Sequence, residues 1–107
     1  NMSDINQNTW RSQLESEEDF TILDVRTSEE FEELRLPNSI NIDFYNPQNF
    51  IQELEKLDKN KSYYVYCRTG SRSATTCNLM KEIGFTKTYN LLGGIAEWKG
   101  EVESQNK

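Results

Sequence analysis

Residues 63–72, with the sequence YYVYCRTGSR, join a run of aromatic and β-branched residues to a short polar loop that contains a glycine. Such a run is typical of a strand buried in a parallel sheet. A helix is predicted to begin near Ser73, after the loop. It buries Cys77 and Met80 and ends at Gly84, which can provide a left-handed C-terminal cap. The stretch therefore predicts a strand, a loop and a helix in succession.

Strands and helices alternate on both sides of this stretch. Residues 20–23 form a second strong strand candidate, and residues 39–42 and 88–91 form weaker ones. The clearest helical signal covers about residues 47–56, with Asn46 as the N-cap residue and Pro47 at the first helical position. Further helices are predicted from Ser28, around Trp10 and Leu14, and at residues 95–98. This order of elements predicts an α/β fold.

The length and composition predict one globular domain. The chain has 107 residues, which suits a single core spanning residues 1–107. The polar ends, residues 1–8 and 101–107, are expected to be flexible, and Asn1 ahead of Met2 is set aside as a residue left by cloning. The sequence has no apolar run of membrane-spanning length and no basic stretch leading into a hydrophobic one, so a cytoplasmic location is expected.

The net charge and the absence of histidine exclude several classes of function. The 18 acidic and 12 basic residues give a net charge of −6, which argues against nucleic acid or an anionic membrane as the partner. The chain has no histidine and only two cysteines, which excludes a disulfide framework, a zinc site, Ser-His-Asp hydrolysis and cysteine-histidine proteolysis. Any cysteine chemistry must therefore be activated without a histidine base.

The loop that follows the central strand candidate is the candidate site. Cys67 lies at its mouth, Gly70 can adopt unusual backbone angles, and the next helix adds the positive end of its dipole. Two arginines add positive charge, so the pKa of the thiol is expected to fall, and a donor is expected to reach the sulfur. With Cys67 as the nucleophile, the predicted substrate-binding residues are Arg68, Thr69, Gly70, Ser71, Arg72 and Ser73.

The two cysteines receive opposite interpretations. A purely structural Cys67 would place Arg68 and Arg72 beside an apolar site as unpaired charges, which is costly. Cys77 lies ten residues later, and its helical spacing with Met80 places it against the sheet. It is interpreted as a core residue rather than a resolving thiol. Because parallel strands end at one edge of a sheet, residues 24–26 and 67–72 are expected to lie together.

This site and its surroundings resemble the rhodanese-like family of sulfurtransferases over about residues 20–100. The residues that carry the resemblance are Asp24-Val25-Arg26, Glu30-Phe31, Pro37 with Ile40-Asn41-Ile42, the loop from Cys67 to Arg72, and Gly93-Gly94 with Trp98. The family implies a three-layer fold in which helices flank a five-stranded parallel sheet. It also implies a catalytic cysteine that cycles between thiolate and persulfide, and Cys67 occupies that position.

Two details refine the resemblance. Related phosphatases and arsenate reductases of the same fold have five residues between cysteine and arginine, whereas four separate Cys67 from Arg72. The shorter loop suits a sulfur atom on cysteine better than a bound phosphate or arsenate. The family usually has Gly-His where this chain has Leu34-Arg35, so the local turn is expected to differ and Arg35 is a further candidate for charge near the site.

The predicted function is that of a thiosulfate sulfurtransferase-like enzyme. Cys67 takes sulfane sulfur from a small anionic donor such as thiosulfate and passes it to cyanide, a thiol or a protein acceptor, with no cofactor or metal. The alternatives are a non-catalytic regulatory module, a persulfide carrier in a sulfur relay and, less favoured, a phosphatase or arsenate reductase.

Several residues near the loop are interpreted as structural. By the resemblance, Asp24 and Arg26 support the edge of the sheet, and Arg26 pairs with Glu30. The spacing of Thr27 and Glu30 also fits a capping box, in which each side chain binds the other residue's backbone N–H. A tight turn at Gly93-Gly94 is expected to return Trp98 to the domain.

Overall fold

The computed structural model describes residues 3–104, in which strands and helices alternate. The strands are β1 (Asp4–Ile5), β2 (Phe20–Asp24), β3 (Ser39–Asn41), β4 (Ser62–Tyr66) and β5 (Lys87–Leu91). The helices are α1 (Gln7–Ser16), α2 (Ser28–Glu33), α3 (Pro47–Glu55) and α4 (Ser71–Glu82), followed by a 3₁₀ helix at Ile95–Glu97. The predicted α/β class is confirmed. Among residues 3–104, no helix is long and apolar enough to cross a bilayer.

The five strands form one parallel sheet in the order β1-β5-β4-β2-β3. The central strand is β4, whose Tyr64 lies in register with Ile22 of β2 and Tyr89 of β5. At the carboxyl end of the sheet, the N–H of Val25 donates to the carbonyl of Tyr66 at 3.1 Å. The loop after β4 therefore begins beside the residues that follow β2, as the sequence predicts.

Helices cover both faces of the sheet, so the fold has three layers. On one face, Tyr63, Val65 and Cys67 join a core cluster with buried residues of α3 and α4. On the other face, Tyr64 and Tyr66 pack in a second cluster around Trp10 of α1. Because Cys67 continues the alternation of β4 beyond its last residue, its side chain enters the layer that contains α4.

Trp98 packs onto the domain as predicted. Its ring lies edge-on to that of Trp10, with the ring centroids 6.5 Å apart. The guanidinium of Arg11 stands over the Trp98 ring at 5.2 Å from its centroid. The segment after the 3₁₀ helix is therefore anchored against α1 by aromatic and cation–π contacts.

Parts of the two terminal segments that the sequence predicts to be flexible pair with the rest of the fold. The strand Asp4–Ile5, which lies within the segment expected to be flexible, pairs with β5. Asn6 then caps α1 by accepting a hydrogen bond from the N–H of Thr9 at 2.9 Å. Near the other end, Glu103 and Arg35 exchange backbone hydrogen bonds. The flexibility of residues 1–8 and 101–107 stays a prediction, and residues 1–2 and 105–107 lie outside the described part of the chain.

The starts of two helices differ in detail from the prediction. Helix α4 begins at Ser71 rather than Ser73, because Gly70 adopts a φ of 109° and takes the N-cap position. Asn46 and Pro47 occupy the predicted first positions of α3, but the Asn46 side chain makes no capping hydrogen bond. The left-handed region of φ at Gly70 favours glycine, which explains a glycine in the middle of the loop.

Candidate active site

Backbone N–H groups of the loop after β4 and of the first turn of α4 converge on the sulfur of Cys67. Its Sγ accepts hydrogen bonds from the N–H of Gly70 at 3.2 Å and from the N–H of Ser73 at 3.4 Å. The hydroxyl oxygen of Ser73 lies 3.3 Å from the same sulfur. The cradle that the sequence predicts for an anion is therefore built around the thiol itself.

Two opposing effects set the acidity of this thiol. Burial by itself raises the pKa of Cys67, because desolvation penalises the thiolate. Hydrogen bonds from Ser73 and from the backbone N–H groups of Gly70 and Thr69 outweigh burial, so the pKa lies below its ordinary value. The direction agrees with the prediction. The main cause, however, is hydrogen bonding rather than the charge of the two arginines.

The prediction of a thiol that a donor can reach directly is wrong for this conformation. Cys67 is 0% exposed. The physical reason is the shortness of the loop, which brings the N–H groups of Gly70 and Ser73 onto the sulfur. Arg68 and Thr69 are exposed on the outside of the same loop. In this structure the side chain of Cys67 is therefore closed to a donor from solvent.

Arg72 is paired with a carboxylate instead of being available to an anion. Its Nη1 lies 3.2 Å from Oε1 of Glu30, and its guanidinium stands over the ring of Tyr45 at 5.4 Å. Glu30 also completes the predicted capping box with Thr27. Burial raises the pKa of Glu30, but its bonds to Arg72 and Thr27 bring that pKa below the ordinary value. Glu30 is therefore ionised at neutral pH and offsets much of the Arg72 charge.

Arg26 pairs with Asp24, and the predicted pairing of Arg26 with Glu30 is wrong. Its Nη2 lies 2.6 Å from Oδ2 of Asp24, and its Nε lies 3.0 Å from both carboxylate oxygens. The backbone N–H of Arg26 binds the same carboxylate, so a tight turn after β2 brings the two side chains together. Both residues are buried, and Nη2 also donates to the carbonyl of Leu34. The pair joins the end of β2 to the end of α2.

Arg68 lines an open cleft of about 540 Å³ beside the loop. The lining also includes Glu30, Glu33 and the exposed side chain of Leu34. Arg35, the neighbouring candidate for positive charge, forms an ion pair with Glu103 at 3.5 Å and stands over the ring of Phe31. An anion in the cleft would meet the guanidinium of Arg68 together with two carboxylates, while Arg26, which also lines the cleft, is paired with Asp24.

The segment after β5 holds the loop in place, a role that the sequence did not indicate. The N–H groups of Ile95 and Ala96 donate to the carbonyls of Cys67 and Arg68 at 3.0 and 2.9 Å. Gly94 permits this approach with a φ of 60°, and a Cβ at this position would collide with the carbonyl of Arg68. The Gly93-Gly94 pair was a signal for a turn, but its contact with the loop depends on tertiary structure.

Asn90 is a second site residue that sequence reasoning did not identify. It is 1% exposed, and its Oδ1 accepts a hydrogen bond of 2.5 Å from the hydroxyl of Ser73. Its Nδ2 donates to Oδ1 of Asp4 at 2.8 Å and to the carbonyl of Gly70 at 3.2 Å. An amide within a buried strand was the only signal, since buried polar side chains need hydrogen-bond partners.

Cys77 lies in the core, in agreement with its interpretation from the sequence. It is 0% exposed and belongs to the cluster between α4 and the sheet. Burial raises its pKa to about 12. A thiol with this pKa stays protonated at neutral pH and is a poor nucleophile.

Comparisons with known proteins agree with this architecture. The family model of the rhodanese-like domain matches residues 7–101. The chain is 33% identical over 105 residues to the "Putative sulfurtransferase YtwF" of Bacillus subtilis (strain 168), and the match covers 98% of each chain. It is also 33% identical over 87 residues to the thiosulfate sulfurtransferase GlpE of Coxiella burnetii (strain RSA 331 / Henzerling II), covering 81% of this chain and 78% of GlpE.

A solved structure gives the same result for the fold. The crystal structure of a rhodanese-like domain protein from Staphylococcus aureus superposes with a TM-score of 0.81 at 28% sequence identity. The superposition covers 95% of this chain and 97% of that protein. The strand order, the cysteine loop after the central strand and the match over residues 7–101 are thus consistent with one another. The chain belongs to the rhodanese-like domain family.

Proposed function

We propose that this protein is a sulfurtransferase that carries sulfane sulfur as a persulfide on Cys67. One observation carries the proposal: the loop directs the N–H groups of Gly70 and Ser73 and the hydroxyl of Ser73 at the Cys67 sulfur. These donors lower the pKa of the thiol in a chain without histidine, so the nucleophile needs no separate base. Membership of a family with relatives named as sulfurtransferases supports the same assignment.

The reaction consists of two displacements at sulfur. In the first, the Cys67 thiolate attacks the outer sulfur of thiosulfate. A new S–S bond forms to Sγ, the original S–S bond breaks, and sulfite leaves with its electron pair. In the second, cyanide or a thiolate attacks the outer sulfur of the persulfide, and the Cys67 thiolate leaves. Because each half-reaction releases a product before the next substrate binds, ping-pong kinetics are expected.

Loading requires the loop to open. Cys67 is fully buried, so neither thiosulfate nor any other donor can contact Sγ while the N–H groups of Gly70 and Ser73 occupy its surroundings. The exposed residues Arg68 and Thr69 lie on the outside of this loop. A movement of this loop is therefore expected to precede the loading of sulfur.

The mass of the intact protein tests this proposal. After incubation with thiosulfate, the native chain and Cys77→Ser are expected to gain one sulfur atom, which cyanide then removes. Cys67→Ser is expected to gain none. Cys77→Ser is the matched control, because it removes the other buried thiol. The proposal is wrong if the native folded chain stays unmodified by thiosulfate and by a protein persulfide, or if Cys67→Ser acquires the same removable sulfur.

The charge around the loop favours a second candidate function, that of a persulfide carrier in a sulfur relay. Glu30 neutralises Arg72, and the cleft beside Arg68 contains carboxylates, so a free dianion such as thiosulfate gains little attraction. A protein persulfide would bring its sulfur to the loop through surface contacts instead. Rapid loading of Cys67 from a protein persulfide combined with slow loading from thiosulfate would favour the carrier, and the reverse order would favour the enzyme.

A further inference from the structure

Ser73 has one hydroxyl proton and two neighbours that can accept it. Its Oγ lies 2.5 Å from Oδ1 of Asn90 and 3.3 Å from the sulfur of Cys67. A hydroxyl group donates one hydrogen bond at a time, although it can accept others. The proton can therefore serve the amide or the sulfur, but not both.

The orientation of the Asn90 amide is fixed by two groups that only accept hydrogen bonds. Its NH₂ group donates to the carboxylate of Asp4 and to the carbonyl of Gly70. A flipped amide would place its oxygen against both acceptors, at 2.8 and 3.2 Å. The carbonyl oxygen of Asn90 must therefore face Ser73, where it competes for the hydroxyl proton.

The protonation state of Cys67 decides which neighbour obtains the proton. A neutral thiol can donate its own S–H to the oxygen of Ser73, which leaves the Ser73 proton with Asn90. A thiolate can only accept, so it gains a further hydrogen bond only if the Ser73 hydroxyl turns away from Asn90. A hydrogen bond to a charged sulfur is stronger than one to a neutral amide, which favours this rotation.

We propose that Asn90 is a positioning residue that acts through the hydroxyl of Ser73. While Cys67 is a thiol, the Ser73 hydroxyl donates its hydrogen bond to Asn90. When the thiolate forms, the hydroxyl turns and donates its hydrogen bond to the sulfur. The inference rests on the proposed function, because the thiolate is the nucleophile of that reaction. In this arrangement Asn90 opposes the ionisation of Cys67, because its amide oxygen competes with the sulfur for the hydrogen bond of Ser73. The acidity of Cys67 then depends on a side chain of β5.

Other charges around the pair do not account for such a dependence. The charged groups on the surrounding elements are Asp4 on β1, the Asp24 and Arg26 pair after β2, the Glu30 and Arg72 pair between α2 and α4, Arg68 in the loop and Glu97 in the 3₁₀ helix. All of them are retained when only residues 73 and 90 are changed. Their effects on the thiol therefore cancel in a comparison of the two single variants with the double variant.

The ultraviolet absorbance of the thiolate, titrated against pH, provides the test without any sulfur donor. The same titration of Cys67→Ser is subtracted from each curve. Ser73→Ala is expected to reduce the thiolate fraction about tenfold at a pH below the midpoint, because the sulfur loses a donor. Asn90→Leu is expected to increase that fraction about threefold, because the Ser73 proton becomes available. In the double variant, the increase is expected to vanish.

An equal effect of Asn90→Leu with and without the Ser73 hydroxyl would overturn the proposal, as would a decrease in the thiolate fraction of the single variant. If Asn90→Leu does not fold, NMR of the native protein with isotope-labelled asparagine gives the second measurement. The side-chain amide signal of Asn90 is expected to shift with the titration of Cys67, and this shift is expected to be lost in Ser73→Ala. An Asn90 signal that titrates identically in both proteins would contradict the coupling through Ser73.

These outcomes are independent of the sulfur-loading experiment. If the coupling between Asn90 and Ser73 is found but thiosulfate and protein persulfides leave Cys67 unmodified, the role of Asn90 stands and the proposed function fails. If Cys67 gains sulfur but Asn90 has no effect through Ser73, the proposed function stands and the role of Asn90 fails.

Discussion

Cys67 and Cys77 lie ten residues apart, are both 0% exposed and belong to the same core cluster, yet their thiols have opposite acidities. The pKa of Cys67 is lowered, whereas burial raises that of Cys77 to about 12. The difference lies in the partners. The N–H groups of Gly70 and Ser73 point at the sulfur of Cys67, whereas the N–H groups around Cys77 are used by the regular hydrogen bonds of α4. Burial therefore strengthens whichever hydrogen bonds a thiol makes, and the hydrogen-bond donors around the sulfur decide whether it is charged.

The largest expected effect comes from removing the support of the Cys67 loop. In Gly94→Ala, the new Cβ collides with the carbonyl of Arg68, and the backbone is held where side chains are strained. We expect a loss of about 3 kcal/mol in the free energy of unfolding and at least a tenfold slower loading of sulfur, as strain of this kind is costly. Urea denaturation and the rate of mass gain measure the two effects.

Gly84→Ala is the matched control for this variant. Gly84 also has a positive φ, of 112°, but the atoms near its Cβ position belong to the flexible side chain of Lys59. Its substitution is expected to cost about 1 kcal/mol of stability and to leave the Cys67 titration unchanged. Equal loss of loading in the two glycine variants would show that Gly94 has no specific role at the loop.

An intermediate effect is expected in the pH dependence of stability, with opposite signs for the two thiols. Between pH 9.0 and about 10 the unfolded Cys77 thiol ionises while the buried one, with a pKa of about 12, stays protonated, so stability falls by about 1.4 kcal/mol over that interval. For Cys67 the folded thiol ionises first, so its contribution rises as the pH increases towards the ordinary thiol value of 9.0 and is lost at acid pH.

Denaturation curves of Cys67→Ala and Cys77→Ala across this pH range separate the two contributions. Cys77→Ala is expected to remove the fall between pH 9.0 and about 10, whereas the fall at higher pH, to which Tyr63, Tyr64 and Tyr66 contribute, remains. Cys67→Ala is expected to remove the rise in stability that precedes the fall. The constant loss from the cavity in each variant does not affect these slopes. The contrast between the cysteines would be wrong if both substitutions changed the slope in the same direction.

The smallest effect concerns the charge near the loop. Glu30→Gln keeps an acceptor for the capping box but removes the charge that Arg72 pairs with. The released guanidinium is expected to increase kcat/KM for thiosulfate about threefold, as expected for a partly exposed ion pair. Glu30→Ala also loses the cap and is expected to be about 1 kcal/mol less stable. An unchanged kcat/KM in Glu30→Gln would show that the Arg72 charge plays no part in binding the donor.

The strands and helices that carry their own local pattern could be predicted from the sequence. The aromatic and β-branched runs of β2 and β4 were correctly identified, and so was the apolar stripe of α3 after Pro47. These signals need only neighbouring residues. The position of the Cys67 loop at the edge of the sheet also followed, because parallel strands end on the same side.

The features that the sequence did not reveal depend on contacts between distant segments. Strand β1 has only two residues and exists because β5 offers it a free edge. The burial of Cys67 follows from the close approach of Gly70 and Ser73 to its sulfur, and the role of Asn90 follows from its place beside Ser73. Arg26 forms its ion pair with Asp24 rather than with Glu30. The spacing of these residues in the sequence did not distinguish the two carboxylates.

The order of the strands has a consequence for the moment at which the thiol becomes acidic during protein synthesis. As the chain leaves the ribosome, β2, β3 and β4 can assemble as soon as residues 20–66 have emerged, but β1 waits for β5, which is made more than 80 residues later. The carbonyls of Cys67 and Arg68 gain their partners only when residues 95 and 96 arrive. A nascent or truncated chain without residues 95 and 96 lacks these two supports of the Cys67 loop, so its thiol is expected to be less acidic than that of the finished fold.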